Sequence, residues 1–347
     1  MVLLFAQERK RNLMKITMSK FLEKLLVLKP ALYTKGIIDQ ADHFLFTETE
    51  IISYNDRFSI RVPFQSPGKF SVPGQEFLNL IGNLKVDTFD LLEEDTQVLV
   101  TTPTTRSGIN IYRGGLFDIV EDMFTGKETW KKLSSDFNEA VFLCMFSISK
   151  DVSRGWMSCL VVDKGKVLSS DDLRISQYNL KTPLDSSFLI PLSSAVELSK
   201  LPVIEFSLNP SWIHFRTKDG VVFSSRLVLV DAPSADDYFN VTGDTLTLPD
   251  GLKEAVEGVS IFAEGEFDMD KRIEVFVQDG KVVCRGEKER GWIEKDVLFK
   301  YKGKKLEFLV NPIFFSQILS KSTKIIVGKD AALFESGPFR HLMSLPI

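Results

Sequence analysis

The chain has three histidines, His43, His214 and His341. Imidazole is the side chain best placed to move protons near neutral pH or to bind a transition metal. One histidine falls in each third of the sequence, each inside a strand-like apolar run, so all three read as structural side chains. Two adjacent carboxylate pairs, Asp171-Asp172 and Asp236-Asp237, have a chemistry that suits magnesium. No third carboxylate is placed near either, and solvated turns are the simpler reading. Gly126-Lys127 lacks the upstream glycine and the following Ser or Thr of a phosphate-binding loop. No His-Glu-x-x-His, paired-cysteine or Gly-x-Ser-x-Gly pattern occurs. Cys144, Cys159 and Cys284 are odd in number and far apart, as expected of small core residues in a reducing compartment. Asn240-Val241-Thr242 fits a glycosylation acceptor, which matters only in an exported chain.

The elements that would have to position a site are themselves repeated. Phe188-Leu189-Ile190-Pro191 is an apolar strand closed by proline, followed by a helix-like run, Ser193 to Lys200. Two alternating strands come next, Ile204 to Leu208 and Trp212 to Arg216, and a last one from Val221 to Val230. The same plan starts at Phe70-Ser71-Val72-Pro73 and at Phe308-Leu309-Val310-Asn311-Pro312. The starts are spaced by 118 (188 − 70) and 120 (308 − 188) residues. A period near 120 makes the chain one unit used three times. Each third shows two helices and about eight strands. That is too few helices to cover a sheet on both sides, so the expected class is α+β, with the helices on one face of antiparallel sheets. The expected organisation is residues 1–13 as a disordered extension, then repeats over 14–124, 125–243 and 244–347.

Apolar residues make up 44% of the chain and charged residues 26%, the balance of a soluble globular protein. The short apolar opening Met1–Ala6 precedes the polar, charge-rich run Gln7-Glu8-Arg9-Lys10-Arg11. A signal peptide has the opposite order, so a cytoplasmic location is expected. A net charge of −4 disfavours grip on nucleic acid by an overall basic surface, but allows a basic stripe. Local signals place helices at Ser19–Leu28 (with Ser19 as cap and Pro30 as terminator), Gln75–Leu84, Ser134–Ser147, Pro249–Ala263 and Pro312–Ser320. Gly286–Gly291 reads as a charged loop, and Asp231–Asp244 as a turn-rich linker.

With these repeats in view, the sequence resembles the bacterial-type DNA sliding clamps, the beta subunits of replicative DNA polymerases, over nearly all of 14–347. The family's run Thr-Asp-Gly-His-Arg-Leu is similar to Ser170-Asp171-Asp172-Leu173-Arg174-Ile175. Its apolar strand ending in proline, followed by a Val-x-Glu-Leu helix, resembles Phe188–Pro191 with Val196-Glu197-Leu198. Its Pro-Asp-Tyr corner resembles Asp236-Asp237-Tyr238. Phe308-x-Val-Asn311 before a helix, and a proline near the end in Leu345-Pro346-Ile347, also fit. Gly-His of the family is replaced by Asp172-Leu173. Such departures, with the unmatched leader, point to a divergent member, and a phage-encoded one is a source they suggest.

The resemblance implies three domains per chain and a head-to-tail homodimer, a six-domain ring around duplex DNA that tethers a polymerase as its processivity factor. It implies no catalytic residue, cofactor or metal. DNA would be met by Lys20, Lys24 and Lys29 on the first helix and by Lys321 after the last, and, by resemblance alone, by Lys35, Lys150 and Arg154 in loops. A groove for a short peptide from the polymerase or clamp loader would be walled by Trp156, Ser170, Arg174, Ile175, Val241, Met343 and Leu345. Ring closure would pair the edge Arg106–Tyr112 with the last domain of the next subunit, setting Ile109 and Ile111 against Ile261 and Phe262. Two other classes stand beside this one: a β-rich repeat protein with a structural or interaction role, and a metal-dependent enzyme using Asp171 and Asp172. An enzyme would be expected to break the repeat with a polar, loop-borne site in one copy, and no such insertion is visible.

Overall fold

The computed structural model describes residues 13–32 and 39–346. Among them are seven α-helices: α1 (Met18–Leu28), α2 (Gly74–Asn83), α3 (Leu116–Glu121), α4 (Phe137–Cys144), α5 (Leu192–Leu198), α6 (Leu252–Val259) and α7 (Pro312–Leu319). Twenty-four strands accompany them, all in antiparallel sheets. The chain forms two compact units. One is built from the chain up to Leu133 together with Lys200–Leu227; the other from Ser134–Ser199 together with Val228 onward.

Each unit holds one eight-stranded and one four-stranded sheet. In the first unit the eight-stranded sheet runs in the order Phe70–Pro73, His43–Phe46, Glu50–Tyr54, Phe58–Pro63, Val222–Arg226, Trp212–Thr217, Val203–Leu208, Lys131–Lys132. The helix α1 forms because Met18, Phe21, Leu25 and Leu28 recur at helical spacing and are all buried. Phe21 sits in an aromatic cluster, with ring centroids 5.1 Å from Phe64, 5.6 Å from Phe89 and 6.0 Å from Phe77. The chain leaves the α-helix at Lys29-Pro30-Ala31, a single 3₁₀ turn. Ser19 lies inside the helix, whose cap position is Thr17. The sequence signals did not reveal α3, which buries Leu116, Phe117 and Val120.

In the second unit the eight-stranded sheet runs Ser187–Pro191, Cys159–Asp163, Lys166–Ser170, Arg174–Asn179, Phe339–Ser344, Ala331–Ser336, Lys324–Val327, Asp244–Thr247. Asn311 caps α7: its side-chain oxygen accepts from the backbone N–H of Ile313 and Phe314, while its amide donates to the carbonyls of Asp268 and Met269. Gly286–Gly291 is less of a loop than expected. Strands Gly280–Lys288 and Gly291–Phe299 form a long hairpin, with Val282, Cys284 and Gly286 facing inward. Their charged neighbours are cross-strand pairs, such as Arg285 with Glu294 at 3.1 Å.

The histidines are buried in strands, each against a serine hydroxyl: His43 with Ser71 at 3.1 Å, His214 with Ser224 at 2.8 Å, and His341 with Ser176 at 2.9 Å. Burial lowers the pKa of all three, that of His214 to about 4.

Candidate functional site: an apolar slot beside a polar latch

Strand alternation in the second unit puts two chemically distinct faces on its eight-stranded sheet. On one face Ile175 pairs with Leu342, Leu342 with Leu333, and Leu333 with Ile326. These join Val161 and Leu168 in one apolar cluster. The segment after Val228 adds Ala235 and Phe239, both buried. Trp156, Leu189, Ala232, Val241, Ile175 and Leu342 pack on the cluster but stay half-exposed. The result is a partly covered apolar slot with an aromatic at its border. A 410 Å³ cavity lined by Val161, Leu168, Leu189 and Ala232 continues it.

A polar latch holds the covering segment. The Lys166 ammonium lies 2.5 Å from an Asp236 oxygen, and the Gln177 amide donates to the same carboxylate at 3.1 Å. Arg340 donates to Gln177 at 2.7 Å and stacks over the Phe239 ring at 4.4 Å. The hydrogen bonds from Lys166 and Gln177 hold the Asp236 carboxyl below the usual carboxylate range.

The opposite face belongs to the helices. There the Arg174 guanidinium donates to Asp171 at 2.6 and 2.9 Å, to Gln317 at 2.6 Å and to the Phe146 carbonyl at 3.1 Å. It lies 3.8 Å from the centre of the Phe314 ring. Asp171 also accepts from the backbone N–H of Leu173 and Arg174. Its carboxylate is therefore fully engaged as the partner of a buried cation. Asp172 is exposed and turns at φ 83°, a conformation that glycine adopts with least strain. It pairs with Arg154 at 3.1 Å.

Of the seven residues expected to wall a groove, Trp156, Ile175 and Val241 come together at the slot. Arg174 and Met343 do not: they are paired neighbours on the helix-facing side, both buried. Ser170 is buried and donates its hydroxyl to the Arg174 carbonyl. Leu345 is buried away from the slot, beside a separate 300 Å³ recess near Phe308 and Gly328. The slot residues missed were Leu342, Leu333, Ile326 and Phe239. Met343 and Leu342 are neighbours on one strand and so face opposite sides of the sheet, while Leu345 lies beyond the strand end at Ser344.

Of the expected DNA contacts in the first unit, Lys20 and Lys29 are exposed on or just after α1, while Lys24 donates to the Pro63 carbonyl at 2.8 Å. Lys35 lies outside the described residues. In the second unit Lys150 is exposed and Arg154 is paired as above. Lys321 is half-buried, its ammonium 4.1 Å from the Phe142 ring centre and 5.0 Å from that of Phe146. Burial lowers its pKa.

Two of the terminal strands of the four-stranded sheets bear on the expected subunit joint. Strand Arg106–Asn110, which carries Ile109, ends the four-stranded sheet of the first unit, and Ile111 follows it. Strand Gly291–Phe299 ends that of the second. In the second unit Ile261 is 66% exposed, and with Phe262 it borders a 1140 Å³ recess rich in Glu and Arg.

This architecture matches solved structures along nearly its whole length. The sliding clamp (DNA polymerase III subunit beta) from Bartonella birtlesii bound to griselimycin superposes with a TM-score of 0.83 at 15% identity, over 96% of this chain and 99% of that one. The beta subunit of DNA polymerase from Streptococcus pyogenes gives 0.82 at 18% identity, with the same coverage. The fold is that of the bacterial sliding clamps. A third match, the Helicobacter pylori beta clamp bound to a DNA ligase peptide, gives 0.80 at 14% identity over 96% and 100% of the two chains. No family model matches the sequence, and no curated protein does. The clamp fold is therefore carried here by a sequence that keeps few of the residues of these structures.

Proposed function

We propose that this protein is a DNA sliding clamp: two chains close head to tail around duplex DNA, and the ring tethers a replicative polymerase in the cytoplasm without doing chemistry itself. The single observation that carries the reading is the agreement of fold over 96% of the chain with bacterial clamps that are themselves covered almost end to end. In this reading 14–124, 125–243 and 244–347 are the three clamp domains of a subunit. The edge strand with Ile109, followed by Ile111, would meet the recess at Ile261 and Phe262 of the next subunit. Such a heterologous contact closes into a ring and covers the edge that carries Ile109.

The slot at Trp156, Ile175, Val241 and Leu342 is the proposed seat for a short peptide from the polymerase or its loader. A half-exposed tryptophan over a packed apolar floor is a favourable anchor for such a segment. One similar structure holds a ligase peptide, which supports a peptide ligand for this fold. The acidic net charge also suits the role. A sliding ring needs only weak, sequence-independent attraction to phosphates, and base-specific contacts would stop it.

The test is retention. Loaded by a clamp loader onto nicked circular DNA, the protein should stay bound through gel filtration and should run off once the circle is cut to linear form. Equal retention on both forms, or on neither, would reject topological holding.

A further inference from the structure

The connection between strands Gly291–Phe299 and Leu306–Val310 is Lys300-Tyr301-Lys302-Gly303-Lys304-Lys305. These strands lie at opposite edges of their four-stranded sheet. Phe299 is paired with Gly280, and Leu306 with Val277. The connection is therefore a strap across one end of the sheet, passing the hairpin turn at Asp279. It reaches at most about 17 Å from Lys300 to Lys305.

All four lysines of the strap are exposed. Among the described residues none of them has an anionic partner, whereas Lys281 of the same sheet pairs with Asp296 and Arg285 with Glu287 and Glu294. Carboxylates near it in the chain or the sheet are Asp279, in the turn, the exposed Glu307, two residues past Lys305, and Asp244, which acts on the Tyr301 hydroxyl. Four like charges within six residues repel one another, an arrangement relieved by a polyanion.

The aromatic part of the strap is held in place. Tyr301 stacks on Phe299, with centroids 5.6 Å apart and planes 11° from parallel. A Cβ at Gly303 would come within 2.2 Å of the Tyr301 hydroxyl oxygen, so a larger residue there would push the ring from its present position. Tyr301 remains half-exposed. A fixed, partly open aromatic pair among unpaired lysines is the combination that single-stranded nucleic acid uses: phosphates on the cations and a base on the ring face. An acidic peptide would gain from the lysines but little from the ring.

We propose that the Lys300–Lys305 strap is a binding site for single-stranded nucleic acid, separate from the proposed duplex and peptide sites. Four phosphate contacts would give a salt slope of about −2.8 in log K against log salt, a loss of roughly fifty-fold between 50 and 200 mM.

The experiment is fluorescence anisotropy with a labelled oligothymidylate and the full chain. The wild type should show that slope. Replacing Lys300, Lys302, Lys304 and Lys305 together with Gln should remove it, while the corresponding Arg variant should keep it. Tyr301→Ala should weaken binding about tenfold with the slope retained. If the four-fold Gln variant does not fold, Lys302→Gln with Lys304→Gln should halve the slope. Wild-type affinity and slope in the Gln variants would overturn the proposal. So would polyglutamate of matched charge competing as well as the unlabelled oligonucleotide. Retention on circular DNA, followed in the same variants, should stay at the wild-type level, so the strap and the clamp reading fail in different assays.

Discussion

Acidification from pH 7 to 5 should weaken the unit that contains His214 well before its carboxylates titrate. The His214 ring is fully buried and stacks on Phe124, with centroids 4.1 Å apart. Its Nε2 faces the Asn209 amide nitrogen at 3.2 Å. The orientation of that amide is set by its oxygen, which accepts from the backbone N–H of Ser211 and Trp212. Nε2 therefore accepts and Nδ1 carries the proton toward Ser224. A second proton, on Nε2, would point at a donor. Burial, reinforced by the nearby Arg61 charge and opposed by Glu128, lowers the pKa from 6.5 to about 4. The unfolded chain thus binds protons more readily, so this contribution to stability is complete above pH 6.5 and falls as the pH drops toward 4. The loss works out at about 2 kcal/mol at pH 5 and about 3 kcal/mol at the acid limit. Urea denaturation at pH 7.5, 6 and 5 measures it, with His214→Gln as the control. The variant should start less stable and lose about 2 kcal/mol less than the wild type over that range. Equal pH slopes in the two proteins would refute the account of a buried neutral imidazole.

Two further outcomes test the second unit. Trp156→Ala with Leu342→Ala should abolish stimulation of a polymerase while ring retention on circular DNA persists; unchanged stimulation would remove the slot from partner binding. Asp171→Ala should cost about 3–5 kcal/mol, because it leaves the buried Arg174 cation without its counter-charge. A loss below about 1 kcal/mol in urea denaturation would mean that Phe314 and Gln317 suffice to hold the guanidinium.

The repeat, six of the seven helices among the described residues and the α+β class were legible because they rest on local periodicity. Phe21, Leu25 and Leu28 announce α1 whatever surrounds them, and Pro30 ends it. Each of the three repeated segments also shows the expected eight strands. What escaped depends on contacts distant in sequence. Nothing near Arg174 indicates that Gln317 and Phe314, some 140 residues on, take its guanidinium to the helix side. Near the chain end, neighbouring residues serve opposite faces yet both are apolar, so Leu342 and Met343 look equally suited to a groove. Charged residues at Gly286–Gly291 suggested a loop because cross-strand ion pairs leave no mark on one strand alone. Lys24 and Lys321 read as DNA contacts, whereas the Pro63 carbonyl of a neighbouring strand and two aromatic rings engage them.

Both eight-stranded sheets are half from one repeat and half from the next. Strand Phe58–Pro63 is paired to Val222–Arg226, and Arg174–Asn179 to Phe339–Ser344. The stretch 125–243 gives strands to both sheets, and the compact units part within it, at 133/134, 199/200 and 227/228. The repeat is thus not the unit of packing. A fragment cut at a repeat boundary would bare four-stranded half-sheets with raw edges, so the middle repeat is poorly suited to life as an excised module. A core lesson follows for mutagenesis within that one repeat: damage at Phe215 should report on the first unit's melting, and damage at Leu168 on the second's.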